Sequence, residues 1–133
     1  MIALDASLLV AHLDPRDSHH EAATQLLLGA ADQTLVAHSL TLAEVLVGAA
    51  RRGRARERLD DVRSVGVVLA DRVDDEPLRL AELRASTGLR MPDCCVLLTA
   101  LTNDGARLAT FDDDLAKAAR QLDVRVVPTP GGH

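Results

Sequence analysis

The sequence predicts an α/β fold: a central, mostly parallel sheet of 4–5 strands with helices on both faces. Three observations carry that expectation. Strand-like and helix-like stretches alternate along the whole chain. The strand-like stretches are short, continuous apolar runs without in-out alternation, as expected of strands covered on both sides. Proline and glycine punctuate the helical stretches at Pro15, Gly53, Gly88, Pro92 and Gly105. The 133 residues fit one domain over 1–133, with 129–133 expected to form a short C-terminal tail.

Each element has its own signal. MIALDA is an apolar run read as the first strand, and SLLVAHLD continues it as a helix ending near Pro15. HHEAATQLLLGAA reads as a helix and QTLVAHS as the second strand. TLAEVLVGAARR is an amphipathic helix broken at Gly53, followed by the charged helix RARERLDDVRSV and the strand GVVLA. DEPLRLAELRAST is a helix that Gly88 would stop. PDCCVLLTALTNDG is a helix with proline in its first turn and Gly105 past its end. ARLATF, DDLAKAARQL and VRVVP complete the chain as strand, helix and strand.

Composition narrows the function classes. With 47% hydrophobic and 26% charged residues, the balance is that of a soluble globular protein. One Phe and no Trp or Tyr leave the core to Leu, Val and Ala, and nucleic acid would be held without the usual aromatic platforms. A formal charge of −5 argues against coating nucleic acid by charge attraction and leaves metal-mediated contact with phosphate open. No apolar run approaches the ~20 residues of a membrane span and the start resembles no signal peptide, so a cytoplasmic protein is expected. Adjacent Cys94 and Cys95 suit neither a structural disulfide nor zinc and are expected to be reduced, buried thiols.

In parallel sheets ligands collect outside the carboxyl ends of the strands. Asp5 ends the first strand, Asp112 ends the fourth, Glu44 is expected to open the helix after the second, and Asp93 opens the helix before the fourth. Four acids would then face one pocket, and like charges that close raise one another's pKa unless a cation compensates. An all-oxygen site suits Mg²⁺ or Mn²⁺ and disfavours zinc. Such an ion can activate water for in-line attack, so phosphodiester hydrolysis is the expected reaction. Capping offers a competing explanation. Any of Asp112, Asp113 and Asp114 could cap the following helix, Thr41 and Glu44 form a T-x-x-E capping box, and Asp93 is an ordinary first-turn residue. Asp5, inside an apolar run, has no capping role that would offset its desolvation.

LDASLL at the N-terminus, TLAEVL at 41–46, MPDCCVLLTAL at 91–101 and LATFDDDL at 108–115 resemble, in order and spacing, the four motifs of the PIN-domain ribonucleases. Length and motif order are similar to those of the VapC toxins of bacterial toxin–antitoxin pairs. The resemblance implies a PIN-like three-layer α/β/α sandwich and a Mg²⁺-dependent endoribonuclease in which Mn²⁺ can substitute. It implies Asp5, Glu44, Asp93 and Asp112 as catalytic acids, with Asp5, Asp93, Asp112 and the auxiliary Asp114 around the metal. Ser7 and Thr110 would orient carboxylates or waters, and Asp113 would be a capping bystander. It also implies a homodimer, a VapB-type antitoxin forming a heterotetramer or larger assembly, and tRNA or rRNA as substrate. Leu115 departs from the aromatic often found there, and Cys94 and Cys95 stand where small residues are commoner.

RRGRARER places Arg51, Arg52, Arg54, Arg56 and Arg58 after the Glu44 helix. They could grip RNA or an acidic partner, as could Arg16 and Arg90, or they could form a solvated face paired with Glu57 and Asp60. The five histidines show no ligand spacing, and His19 and His20 are expected to be exposed. No nucleotide-binding or nucleophile-elbow motif occurs. A rival reading is a phosphoacceptor signalling domain, which needs a lysine at the end of a late strand. The sole lysine, Lys117, falls inside a helix. A non-catalytic binding module is the other rival, although all four acids are present.

Overall fold

The computed structural model describes residues 1–128, so the expected tail over 129–133 lies outside the described residues. Five short strands, β1 (Ile2–Leu4), β2 (Leu35–Ala37), β3 (Val67–Leu69), β4 (Arg107–Ala109) and β5 (Val126–Val127), pair in the order β3-β2-β1-β4-β5. Every pairing is parallel. The helices are α1 (Ala6–Leu13), α2 (His20–Gly29), α3 (Ser39–Arg51), α4 (Ala55–Ser64), α5 (Glu76–Thr87), α6 (Met91–Leu101) and α7 (Asp113–Gln121).

Alternation along β1 divides the core in two. Ile2 and Leu4 face Leu8 and Leu9 of α1, Leu27 of α2, Val45 of α3 and Val62 of α4. Ala3, with Val36 and Leu108 from β2 and β4, faces Leu97 of α6 and Leu115 of α7. Helices α1 to α4 therefore cover one face and α6 and α7 the other, while α5 packs on α6. This is the expected three-layer α/β/α sandwich. Gly88 takes the left-handed conformation (φ 72°) that closes α5, as a C-terminal glycine does. β3 departs from the expectation of a strand buried on both sides: at the sheet edge it leaves Val68 and Leu69 exposed.

The capping box expected at Thr41 and Glu44 does not form. His38, in extended conformation, is the N-cap of α3, and its Nδ1 accepts the Leu40 N–H at 3.0 Å. The helix thus starts earlier, Thr41 is buried inside it with an unpartnered hydroxyl, and Glu44 lies in the second turn instead of opening the helix. His38 Nε2 also meets Glu76 Oε1 at 2.6 Å, tying the start of α3 to the start of α5.

Candidate active site

From β1 the sheet grows outward through β2 and β3 on one side and through β4 and β5 on the other. The order reverses between β1 and β4, and a parallel sheet opens a crevice at such a point, outside its carboxyl ends. Asp5 directly follows β1, and Thr110 to Asp112 directly follow β4.

Asp5 is only 7% exposed and its carboxylate is held from three sides. Oδ1 accepts the Ala6 N–H at 2.8 Å, and Oδ2 accepts the hydroxyls of Ser7 at 2.8 Å and Thr110 at 2.6 Å. Contrary to the sequence expectation, Asp5 does cap a helix. The chain turns from β1 into α1 at this residue, so an acid inside an apolar run satisfies an orphan N–H while its other oxygen turns to β4. Thr110 Oγ1 in turn accepts the Asp112 N–H at 2.9 Å, and Ser7 Oγ accepts the Phe111 N–H at 3.5 Å. Two hydroxyls thereby tie the end of β1 to the end of β4.

Of the three consecutive aspartates, Asp112 is the cap: its Oδ1 accepts the Leu115 N–H at 3.0 Å. Asp113, expected as the capping residue, is an exposed first-turn acid beside Asp114.

Asp93, the third residue of α6, is half-buried, and its carboxyl is pushed up to about 6. Burial is the largest cause. The negative charges of Asp5 and Asp112 follow, with a smaller push from Glu44, and Arg90 opposes them. Glu44 is raised by partial burial and then by Asp5, again opposed by Arg90. It stands at the exposed rim, where solvent screens much of this effect. Asp5, Glu44, Asp93 and Asp112 thus form one electrostatic group with Arg90 beside it. Asp114 is exposed in the first turn of α7, two residues past Asp112.

The donor set is all oxygen, and its mutual repulsion is what a bound cation would relieve. Among the described residues no three His, Cys, Asp or Glu side chains are close enough to hold an ion between them. The array is open, in keeping with Mg²⁺, which keeps several waters and takes one or two carboxylates.

A groove of about 460 Å³ opens beside Glu44, lined by Val10, Leu13 and Arg16 on one side and by Arg52 and Arg58 on the other. Arg51 is exposed at the end of α3 and does not line it. Of the arginine-rich segment only Arg54 forms an ion pair among the described residues, with Glu57 at 3.9 Å. Lys117 is exposed in the middle of α7, away from any strand end. Cys94 and Cys95 are free and buried as expected, and burial pushes the Cys95 thiol up to about 11. Among the described residues no helix is long and apolar enough to cross a membrane.

Two histidine features were not legible in the sequence. His20, expected to be exposed, is half-buried, with Nδ1 2.9 Å from the Ala11 carbonyl oxygen. His19 is exposed, and its ring stacks on Phe111 with centroids 4.4 Å apart and planes 12° from parallel. The two residues are far apart in sequence, and no local pattern pairs them.

No curated protein matches the sequence. Among solved structures, a chain in the crystal structure of VapBC2 from Rickettsia felis bound to a DNA fragment from their promoter superposes with a TM-score of 0.68 and 20% identity. The match covers 95% of this chain and 97% of that one. The crystal structure of PAE2754 from Pyrobaculum aerophilum gives a TM-score of 0.62 and 21% identity, covering 96% of this chain and 90% of that one. Both share the fold. The PIN domain family model matches residues 2–121, a span that holds β1 through α7 and all four acids, and the chain therefore belongs to the PIN domain family.

Proposed function

We propose that this PIN domain is a metal-dependent endoribonuclease acting as the VapC-type toxin of a toxin–antitoxin pair. The reading is carried by one observation: where the strand order of the sheet reverses, the Thr110 hydroxyl joins the Asp5 carboxylate to the Asp112 backbone, and Asp93 lies near enough for both acids to push its carboxyl up. Family membership and the fold shared with VapBC2 of Rickettsia felis support it.

Asp5, Asp93 and Asp112, with Asp114 as auxiliary acid, would hold Mg²⁺, or Mn²⁺ in its place. When bound, the ion lowers the pKa of a water and neutralises charge on the leaving oxygen. The protein's own groups supply position. Ser7 and Thr110 fix the rotation of the Asp5 carboxylate, so its geometry is set before substrate arrives. The Asp112 carboxylate is fixed by its capping bond to Leu115. Arg90 offsets part of the acids' repulsion and is a candidate to receive the phosphate of the substrate. Arg52, on the groove beside Glu44, extends a basic path away from the acids, and Arg51 stands as a weaker candidate further out. The expected partners are a VapB-type antitoxin, a second copy of the chain and a tRNA or rRNA substrate in a bacterial cytoplasm.

The test is to incubate the purified, antitoxin-free protein with total cellular RNA and Mg²⁺ or Mn²⁺, and to map new RNA ends. Discrete ends that vanish with EDTA and with Asp5→Asn are expected. Ends that persist in a folded Asp5→Asn variant would remove Asp5 from the chemistry, and no ends under any metal would overturn the nuclease assignment.

A further inference from the structure

The chain has a single aromatic residue among Phe, Trp and Tyr, and it sits between Thr110 and Asp112. Phe111 packs on the core that covers β1, and its outer surface is covered by the imidazole of His19. His19 is well anchored. Its N–H donates to Asp17 Oδ1 at 2.8 Å, and its carbonyl accepts the Ala23 N–H at 2.9 Å, in the first turn of α2. Its side chain is 55% exposed. The result is a layered stack of core, phenyl ring, imidazole ring and solvent.

The innermost layer is joined to the acids by short connections. Phe111 precedes Asp112, and its N–H donates to the Ser7 hydroxyl that itself donates to Asp5. A flat π surface with one open face thus lies at the margin of the acidic site. The other stacked ring pair among the described residues, His12 and His20, has its centroids 6.3 Å apart and does not include Phe111 or adjoin an acid of the site in sequence.

We propose that the His19–Phe111 stack is a base platform, on which the unpaired nucleobase next to the scissile phosphate stacks against the open face of His19. The proposal rests on the ribonuclease reading and narrows its substrate class. Bases inside a duplex are already stacked on their neighbours, so the preferred RNA presents an unpaired, splayed base at the cut, as in a loop or a single-stranded junction. Any base offers a π face, so the platform fixes position more than sequence.

The test uses RNA ten-mers spanning the cut site mapped in total RNA, with 2-aminopurine substituted at each position in turn. Binding is read by fluorescence in Ca²⁺ and cleavage in Mg²⁺. Quenching is expected at one position next to the cut. His19→Ala should remove that quenching and weaken the substrate interaction about tenfold, within the range measured for loss of one base–aromatic stack, the loss falling on KM and not on kcat. His19→Tyr, which restores a ring without an imidazole, should recover both. If the wild type cleaves in an Asp5-dependent way while quenching and KM are unchanged in His19→Ala, the platform is refuted and the nuclease stands. A loss in His19→Ala that His19→Tyr does not rescue also overturns it, because the imidazole would then be acting through its nitrogens. Absence of any metal-dependent cleavage by the wild type removes the nuclease and the platform together.

Discussion

Replacing Thr110 by Val keeps the shape of a side chain that is 4% exposed and deletes one oxygen. That oxygen makes two bonds, donating to Asp5 Oδ2 at 2.6 Å and accepting the Asp112 N–H at 2.9 Å. A hydrogen bond to a charged group contributes about 1.5–3 kcal/mol, and a partly buried N–H left without a partner costs about 1 kcal/mol more. Asp5 retains Ala6 and Ser7, so it is weakened and not orphaned. The expected loss is therefore about 2.5–4 kcal/mol, or roughly 10–16 °C in Tm at about 4 °C per kcal/mol for a domain of this size. Ser7→Ala deletes the bond to Asp5 and the long 3.5 Å bond from the Phe111 N–H, both from an exposed side chain, and should cost about 1 kcal/mol. The assay is urea unfolding at pH 7, followed by circular dichroism, with the m-value checked for constancy. A Thr110→Val variant within 0.5 kcal/mol of wild type would refute the reasoning, since the hydroxyl could not then be what fastens β4 to the Asp5 carboxylate.

Other substitutions and conditions separate the roles of neighbouring groups. Thr41→Val replaces a buried hydroxyl that has no partner and should stabilise the fold by up to about 1 kcal/mol in the same urea assay; destabilisation of that size would mean the hydroxyl is bonded in solution. Asp113→Ala should retain metal-dependent cleavage and cost about 0.3–1 kcal/mol of α7 stability, and loss of activity with an intact fold would transfer the chemistry to this aspartate. In the metal-free protein the Asp93 carboxyl should titrate by NMR with a midpoint at about 6, and Mg²⁺ should move that midpoint down. The sign follows from competition for one carboxylate: the ion needs the charged form, so its affinity should fall about tenfold per pH unit below that midpoint and level off above it. Affinity independent of pH through this range would place Asp93 outside the metal site.

The strands and the acids at their ends were legible because burial on both faces writes itself into a parallel strand as an unbroken apolar run, and the first charged residue after it marks the sheet edge. Asp5 and Asp112 are both read that way. Helix starts were less legible because several residues compete for one cap. T-x-x-E at Thr41 and Glu44 matched a capping box, but His38 supplied the cap through a ring nitrogen, a role that sequence statistics rarely assign to histidine. Asp113 lost to Asp112 for a comparable reason, since three neighbouring aspartates offer equal chemistry and only the backbone path after β4 selects one. The His19–Phe111 stack depends on where the α1–α2 connection crosses the sheet edge, which no local pattern encodes.

The bond between Thr110 and Asp5 joins residues 105 positions apart. Closing so large a loop is slow, because its entropic cost precedes the contacts that offset it. On a ribosome adding about 5–20 residues per second, Asp5, Glu44 and Asp93 are all synthesised before β4. During that interval β1 lacks its inner neighbour and Asp5 lacks the hydroxyl that turns it. The nascent chain therefore carries most of its acids before the Asp5 carboxylate is fixed, and their arrangement is completed late, with the strand at the centre of the sheet. For a protein read as a danger to the RNA of its own cell, that order of events gives synthesis a built-in delay, set by chain topology and independent of any inhibitor.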